Sequence, residues 1–318
     1  MKFFVIGAGR WGSFIAWYLD SIGHTVSLYG RQSSKKMQEL ISTRKNSVIS
    51  LPESVALVTE LDKVTEADAV IISIDSQGLS SLMETLCDYK VKNKIFILCM
   101  KGIEIGTGRR LSQIVKESAD ETNTVAVWLG PGHVQEFYSG RPNCMVIDSE
   151  DAKTKELLVK ELSGKLIRFY YGTDIIGNEI GAAAKNVIGI AAGMLDGLGL
   201  SSLKGALMAR APREISRLVG AMGGNPVSVY GLCHLGDYEA TVFSKYSHNR
   251  QYGECLITGE ECSGLAEGYF TVKALIELSK NHSVELPICE AVYNVIYNSA
   301  SPTEEMEKLF SRSIKAEF

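Results

Sequence analysis

Near-continuous apolar runs recur through the first half of the chain and are separated by polar or glycine-containing segments. Most of these runs do not alternate apolar and polar positions, which is typical of strands covered on both faces of a parallel sheet. Helical patterns lie between several of them, for example over 11–23 and 76–89. This alternation predicts an α/β fold with a doubly wound sheet. The predicted strands cover 2–7, 25–30, 55–59, 68–74, 93–100, 123–129 and 143–147.

The strand pattern ends near residue 174, and long segments with helical spacing follow it. A chain of 318 residues is long enough for about two domains. We therefore predict an α/β domain over 1–174 and an all-helical domain over 175–318, with the boundary in LIRFYYGTD (166–174). The predicted helices of the second half cover 175–195, 203–222, 265–281 and 288–298.

Composition narrows the class of protein. The chain is 45% hydrophobic and 22% charged, as in ordinary globular proteins, and its net charge of −4 does not favour a nucleic-acid partner. Its seven cysteines are dispersed without metal-type spacing, which predicts a reducing, cytoplasmic setting with buried thiols and no metal. Early glycines interrupt the first apolar run, and no run of about 18 apolar residues follows, so neither a secretory signal nor a membrane span is predicted.

Three glycines mark the turn after the first predicted strand. Gly7, Gly9 and Gly12 have the spacing G-x-G-x-x-G and open a predicted helix. In that context the glycines permit a tight turn, a close approach to a pyrophosphate, and close packing of the helix on the strand. The N-terminus of the helix also offers N–H groups to phosphate. The pattern predicts a Rossmann-type dinucleotide site, and a glycine-rich turn without a ligand is the alternative.

The end of the second predicted strand bears on the choice of cofactor. An NAD-selective site usually has an acidic residue there for the ribose 2′-hydroxyl. This chain reads SLYGRQSSKK instead, and places Arg31 where a 2′-phosphate would lie. We predict a preference for NADP(H), with NAD(H) also possible. The alternative is that Arg31 and the residues after it are simply solvated and that either cofactor binds.

Two lysines are candidates for proton chemistry. Lys185 lies in EIGAAAKNVIGIAAG (179–193), where its neighbours are small or apolar. Burial there would lower its pKa and suit it to donate or accept a proton near neutral pH. A lysine that reaches solvent from the edge of a helix is an equally good interpretation of this pattern. Lys101 follows a predicted strand, and ligands bind at the carboxyl ends of strands in open α/β sheets.

The segment 231–253 gathers polar side chains between glycines. Hydroxyl, amide and guanidinium groups together are the chemistry of a phosphate site. A polar loop between helices would have the same composition. The polar residues of this segment are Asp237, Thr241, Ser247, His248, Asn249 and Arg250.

Taken in order, the motifs of the whole chain resemble those of the NAD(P)-dependent glycerol-3-phosphate dehydrogenases. The resemblance implies reversible reduction of dihydroxyacetone phosphate to sn-glycerol 3-phosphate by hydride transfer from a nicotinamide, without a metal. It also implies a cytoplasmic homodimer. The motifs are G-x-G-x-W-G (7–12), K-G-I-E (101–104), G-P-x-x-x-x-E (130–136), K-N-V-I-x-I-A-A-G-x-x-D-G-L-G (185–199), G-D-x-x-x-T (236–241) and N-R-x-x-G (249–253).

The resemblance also implies a role for each matching residue. Lys185 would donate the proton to the carbonyl oxygen or accept it in the reverse direction, and Lys101 and Asn186 would orient the substrate. Asp237 and Thr241 would contact the substrate or Lys185. The cofactor-binding positions would be Gly7, Gly9, Arg10, Trp11, Gly12, Arg31, Lys101, Val134 and Glu267. The substrate-binding positions would be Lys101, Gly130, Gly132, Asp237, Ser247, His248, Asn249 and Arg250.

Two segments depart from the family pattern. Gly132 and His133 stand where the family has a hydroxyl-bearing residue followed by an aromatic one. His248 stands where the family has an arginine that bridges the cofactor and the substrate phosphate. Arginine is always charged and offers a fixed fork to phosphate, whereas histidine is only partly charged near neutral pH. The candidate replacements for the missing guanidinium are Arg250, Arg141 and Arg210.

Three hypotheses for function follow. The first is the glycerol-3-phosphate dehydrogenase reaction. The second is a related reductase acting on another small hydroxy compound, which the changes at Gly132 and His248 favour. The third is a dinucleotide-binding sensor without catalysis. The joint presence of Lys101, Lys185 and Asp237 argues against the third hypothesis, because a sensor needs only the glycine loop.

Overall fold

The structure is a computed structural model that describes residues 1–261, 264, 266–314 and 316. Its first half forms one eight-stranded sheet with helices on both faces. The strands are β1 (Lys2–Ile6), β2 (Thr25–Tyr29), β3 (Ala56–Val58), β4 (Ala69–Ile72), β5 (Ile95–Leu98), β6 (Thr124–Leu129), β7 (Asn143–Ser149) and β8 (Ile167–Tyr171).

The helices before β8 flank the sheet, and those after it form the second half of the molecule. The first group is α1 (Arg10–Ser21), α2 (Lys35–Thr43), α3 (Leu79–Asp88), α4 (Leu111–Ser118), α5 (Val134–Tyr138) and α6 (Ala152–Leu162). The second group is α7 (Ile175–Gly197), α8 (Lys204–Ala221), α9 (His248–Thr258), α10 (Glu267–Asn281), α11 (Pro287–Tyr297) and α12 (Pro302–Phe310).

The strand order is β3-β2-β1-β4-β5-β6-β7-β8, and all neighbouring pairs are parallel except β6 with β7. The predicted α/β fold with a Rossmann-type sheet and a helical second half is thereby confirmed. The sequence pattern had not indicated the reversed direction of β7. The strand β8 was also missed, because its segment was interpreted as the boundary between domains.

Continuous burial explains the sequence pattern of the strands. Side chains of alternate positions in β1 enter opposite cores: Phe3 and Val5 pack with α1, whereas Phe4 and Ile6 pack with α3 and α4. Both faces of the strand are therefore covered, and no polar position is needed. The order of the strands leaves the carboxyl ends of β1, β2, β4 and β5 side by side, where α/β sheets bind ligands.

The helix α7 is the centre of the second half, and most of its residues are buried. Glycines let a neighbouring helix approach it closely. A side chain at Gly193 would overlap the backbone of Arg250, and one at Gly253 would overlap the backbone of Ile190. The close approach therefore joins α7 to α9, which begins at the polar segment singled out in the sequence.

Four small residues, Gly181 and the three alanines after it, precede Lys185 on α7 and pack against other parts of the protein. Gly181 packs against the side chain of His234. Ala182, Ala183 and Ala184 are fully buried in apolar clusters. These small residues serve packing of the helix, not approach of a ligand.

Buried polar contacts fix α7 against the sheet domain. The carboxylate of Glu179 accepts hydrogen bonds from Arg110 Nη1 at 2.5 Å and from Ser112 N at 2.8 Å, both at the start of α4. Asp148 at the end of β7 accepts one from Asn178 Nδ2 at 2.8 Å. Both contacts lie within the two turns that precede Lys185, so they set its position.

Within the described residues, no helix is both long and apolar enough to cross a membrane. Cys99, Cys233 and Cys289 are buried thiols, as expected from the sequence. Cys87 is exposed and Cys255 is disulfide-bonded, so the prediction of buried thiols is wrong for these two.

Candidate active site

A cavity of about 640 Å³ lies between the carboxyl edge of the sheet and the start of α9. Most of the residues singled out in the sequence line it. They are Gly7, Gly9, Arg10, Trp11, Arg31, Lys101, Gly132, Val134, Lys185, Asn186, Thr241, Ser247, His248, Asn249 and Glu267. Gly12, Gly130, Asp237 and Arg250 do not line it.

The glycine loop has the geometry that a dinucleotide requires. Gly7 has φ +123°, which favours glycine, and a side chain on it would overlap the Ser73 carbonyl. A side chain on Gly12 would overlap the Gly7 carbonyl. A side chain on Gly9 would meet open space, and Gly9 is the N-cap of α1 without a side-chain capping hydrogen bond from the described residues. These features fit a pyrophosphate at the N-terminus of α1.

Lys185 belongs to a buried cluster of charges deep in the cavity. Its Nζ lies 2.8 Å from Asp237 Oδ2 and donates to Thr241 Oγ1 at 2.7 Å. Lys101 Nζ lies 2.6 Å from the same Asp237 oxygen and donates to the Gly130 carbonyl at 2.8 Å. One carboxylate therefore holds both ammonium groups.

This arrangement leaves one N–H donor of Lys185 for a ligand. An ammonium group has three N–H donors, and Asp237 and Thr241 take two of them. Burial lowers the pKa of Lys185 to about 8, Asp237 partly opposes this shift, and the positive charge of Lys101 adds to it. Lys185 can therefore exchange a proton with a ligand near neutral pH.

Asn186, the next residue on α7, forms hydrogen bonds to the residues around this charged cluster. Its Nδ2 donates to the Lys101 carbonyl at 3.1 Å, and its Oδ1 accepts from Asn249 Nδ2 at 3.1 Å. Asn249 Oδ1 in turn accepts from the Gly268 N–H at 2.9 Å. The amide of Asn249 therefore connects α7 to α10, although it also lines the cavity.

The sequence did not single out His234 and Tyr238, a hydrogen-bonded pair that fixes the position of Asp237. His234 is buried; its ring contacts the Gly181 carbonyl through Nδ1 at 2.8 Å and the Tyr238 hydroxyl through Nε2 at 2.7 Å. Burial lowers the pKa of His234 to about 4, so the ring is neutral. A neutral ring with its proton on Nδ1 satisfies both contacts. The pair fixes the turn that carries Asp237 to α7.

The loop after β4 was missed as well. Ser73, Asp75 and Ser76 follow this strand, and the first two line the cavity. The Ser76 hydroxyl donates to Glu267 Oε2 at 2.7 Å, and burial raises the pKa of Glu267. The sequence does contain a signal for this loop, because it follows a predicted strand, and the carboxyl ends of such strands lie at the ligand-binding edge of the sheet.

Gly132 and His133, the first segment that departs from the family pattern, have different surroundings. Gly132 has φ +142°, and a side chain on it would overlap the ring of Phe137. His133 lies near Lys185, and burial, together with the charge of Lys185, lowers its pKa. Its Nε2 is buried and forms no hydrogen bond to any described residue.

None of the three arginines suggested as replacements lines the cavity. Arg250 Nη1 lies 2.8 Å from both Asp196 and Glu254. Arg141 lies 3.4 Å from Glu136 on the surface, and Arg210 lines a second cavity beside α8 and α11. The guanidinium that does line the cavity next to His248 is that of Arg10, whose Nη2 lies 2.9 Å from His248 Nε2.

The other end of the cavity reaches the end of β2. Arg31, Ser34 and Lys36 line it there, close to Gly30. No acidic residue stands directly after this strand. In the described parts of the chain, no group of three or more His, Cys, Asp or Glu side chains could hold a metal ion.

Two family models match the chain. The model of the NAD-dependent glycerol-3-phosphate dehydrogenase N-terminus matches residues 2–155, and that of the C-terminus matches residues 174–307.

Curated relatives cover the whole chain. A glycerol-3-phosphate dehydrogenase [NAD(P)+] of Prosthecochloris aestuarii is 34% identical over 98% of this chain and 98% of its own length. One of Thermotoga sp. is 36% identical over 100% of this chain and 99% of its own length. Among solved structures, glycerol-3-phosphate dehydrogenase from Coxiella burnetii has a TM-score of 0.92 at 25% identity and covers 98% of this chain and 99% of its own.

Proposed function

The chain belongs to the NAD-dependent glycerol-3-phosphate dehydrogenase family, and from that premise we propose the reaction and the residues that carry it out. The protein is an NAD(P)-dependent oxidoreductase that interconverts sn-glycerol 3-phosphate and dihydroxyacetone phosphate. Lys185 donates the proton to the carbonyl oxygen, or accepts it from the hydroxyl in the reverse direction. The observation that carries this role is the position of Lys185 Nζ between Asp237 and Thr241.

The buried cluster supplies the proton and holds the substrate. A nicotinamide bound along the glycine loop supplies or takes the hydride. The third N–H of Lys185 points its proton at the substrate oxygen, while Lys101 adds a second positive charge that stabilises a developing oxyanion. Asp237 keeps both ammonium groups in place, and Asn186 fixes the backbone of Lys101.

A turnover assay tests this function. Purified protein is mixed with NADPH or NADH and dihydroxyacetone phosphate, and the loss of reduced nicotinamide absorbance is followed. We expect turnover that is faster with dihydroxyacetone phosphate than with dihydroxyacetone. Binding of NADPH without turnover of either compound would contradict the proposal and support a sensor; preference for the unphosphorylated compound would support a different reductase.

We further propose that NADP(H) is preferred over NAD(H). Arg31, Ser34 and Lys36 at the end of β2, together with the lack of an acidic residue directly after this strand, support that preference. Arg31→Asp should reverse the ratio of kcat/KM values for NADPH and NADH. A ratio that does not change would remove the basis of the proposal.

The remaining proposals concern organisation. The end of β8 at Tyr171 and the start of α7 at Ile175 support a division into domains 1–174 and 175–318. The match to the C-terminal family model also begins at residue 174. A homodimer and a cytoplasmic location stay predictions, and sedimentation analysis of the purified protein tests the first of them.

A further inference from the structure

Arg10 joins the two halves of the molecule across the mouth of the cavity. It is the first residue of α1, directly after the glycine loop, and its Nη2 lies 2.9 Å from Nε2 of His248, the first residue of α9. A guanidinium cannot accept a hydrogen bond, so Arg10 is the donor and His248 Nε2 the acceptor in this contact. Four of the five N–H donors of Arg10 are not used by His248.

The other cations of the cavity are engaged or lie elsewhere. Lys101 and Lys185 share the carboxylate of Asp237. Arg31 and Lys36 line the end of β2. No ion pair joins Arg10 to a carboxylate within the described residues, and a charged guanidinium at this position suits an anionic ligand.

The start of α9 offers complementary donors at the same end of the cavity. The helix has eleven residues, and the first N–H groups of a helix have no partners within it. Ser247 Oγ accepts from the Arg250 N–H at 3.3 Å and satisfies one of them. Ser247, His248 and Asn249 line the cavity beside Arg10, so a phosphate here would meet both a guanidinium and the positive end of a helix dipole.

We propose that Arg10 is the residue that selects a phosphorylated substrate, because its guanidinium binds the substrate phosphate at the start of α9. His248 is a positioning residue that holds this guanidinium against α9. The inference rests on the proposed function, since it assigns one part of that substrate to one side chain. The guanidinium that the family pattern supplies from α9 thus comes from the glycine loop in this chain.

Arg10→Gln, which removes the charge and keeps most of the length, tests this assignment. The measurement is kcat/KM for dihydroxyacetone phosphate and for dihydroxyacetone, with the Kd of NADPH determined by fluorescence titration. We expect the preference for the phosphorylated compound to fall about 10- to 100-fold, as for the loss of one or two charged hydrogen bonds. The increase in KM for dihydroxyacetone phosphate should exceed any change in the Kd of NADPH.

Arg141→Gln is the matched control. It removes an exposed guanidinium that is paired with Glu136 outside the cavity. The preference for the phosphorylated compound should not change in this variant. An equal loss in both variants would show that net charge, and not the position of Arg10, sets the preference, and would overturn the assignment.

A rescue variant separates a specific contact from a structural role. In Arg10→Gln combined with His248→Arg, the guanidinium returns to the first residue of α9, and we expect at least tenfold recovery of the lost preference. Absence of recovery, or a weaker Kd for NADPH as the main effect of Arg10→Gln, would overturn the inference and make Arg10 a cofactor contact. A wild-type protein without preference for the phosphorylated compound would overturn both this inference and the proposed function, whereas a preference that survives in Arg10→Gln would overturn this inference alone.

Discussion

The two ends of the substrate part of the cavity are built in opposite ways. At the deep end, Lys185 and Asp237 are buried, and Lys185 has two fixed protein partners. At the outer end, Arg10 is exposed and its contact with His248 joins side chains 238 positions apart in the chain. The deep end keeps Lys101, Lys185 and Asp237 as the family pattern has them, although His133 near Lys185 departs from that pattern, and the outer end departs from it at His248.

The difference shows which requirements are strict. Proton transfer needs an ammonium group with a shifted pKa, which depends on burial and on charges held within a few ångström. Recognition of a phosphate needs cationic or N–H donors within reach, and different elements of the fold can supply them. The deep end therefore tolerates little change in its residues, while the outer end can be rebuilt from another loop.

The largest effect is expected from Lys185→Met, which removes the ammonium group and keeps an unbranched side chain. We expect kcat for reduction of dihydroxyacetone phosphate to fall about 10³-fold, within the range typical of general acid catalysis, while KM changes little. Steady-state kinetics measure both values, and titration with NADPH verifies that the variant still binds cofactor. A change in KM without a fall in kcat would contradict the assignment of proton transfer to the deep end of the cavity and of phosphate binding to its outer end.

Asp237→Asn should have the next largest effect. Without the carboxylate, the ammonium groups of Lys101 and Lys185 face each other without compensation, so the pKa of Lys185 falls further. We expect kcat at pH 7 to fall about 10- to 100-fold and to recover partly at lower pH, where Lys185 is protonated again. A pH profile identical to that of the wild type would contradict this role of Asp237.

The pH dependence of the wild-type enzyme distinguishes proton transfer at the deep end of the cavity from phosphate binding at its outer end. Reduction needs protonated Lys185, whose pKa is about 8, so kcat should fall up to about tenfold per pH unit above that value. Oxidation of glycerol 3-phosphate needs the neutral amine and should rise with pH until about 8. Arginine does not titrate in this range, so KM for the phosphorylated substrate should stay level between pH 7 and 9. A parallel change in kcat and KM would contradict the division.

The smallest effect concerns Glu214, a buried acid outside the active-site cavity. It accepts hydrogen bonds from the N–H groups of Ile288 and Cys289, and burial raises its pKa from 4.5 to about 7. The folded protein therefore binds more protons than the unfolded chain between these pH values, so this group's contribution to stability falls as pH rises, by at most about 3 kcal/mol.

Glu214→Gln should remove this slope. Urea unfolding of wild type and variant at pH 5 and pH 7.5 measures it, and kcat is the control, since Glu214 lies apart from the cluster of Lys185. An identical fall in stability from pH 5 to pH 7.5 in both proteins would show that Glu214 does not titrate as described. The result measures how far burial raises the pKa of an acid when two N–H groups and the charge of Arg217 oppose the shift.

Local sequence patterns predicted most of the fold but not every strand direction. Six of the eight strands lie within predicted apolar runs, because burial on both faces demands a continuous apolar pattern. The strand β7 begins in such a run and extends two residues past it. The direction of β7 leaves no such mark, since a buried strand has the same composition whether parallel or antiparallel. In the strand β8, Arg168 and Tyr170 are exposed on one face and Tyr171 is exposed at the carboxyl end, which weakened the apolar signal of this segment.

The candidate site was predictable where a motif fixes both backbone and chemistry. Gly7, Lys101 and Lys185 all line one cavity, as their motifs implied. The contact between Arg10 and His248 depends on how the two halves of the molecule meet, which no local pattern contains. Arg250 does not line the cavity, because its guanidinium pairs with Asp196, which lies 54 positions earlier in the chain.

The packing of Gly132 constrains how this chain can change over generations. A side chain there meets both a positive φ and the ring of Phe137, which stacks on Phe14 with ring centroids 5.1 Å apart. Replacing Phe137 by alanine first would open the space, but the lost core packing would cost about 3–5 kcal/mol of stability. Each change alone therefore lowers stability, so a hydroxyl-bearing residue at position 132 needs a compensating change at Phe137, and the two positions are coupled in the fold.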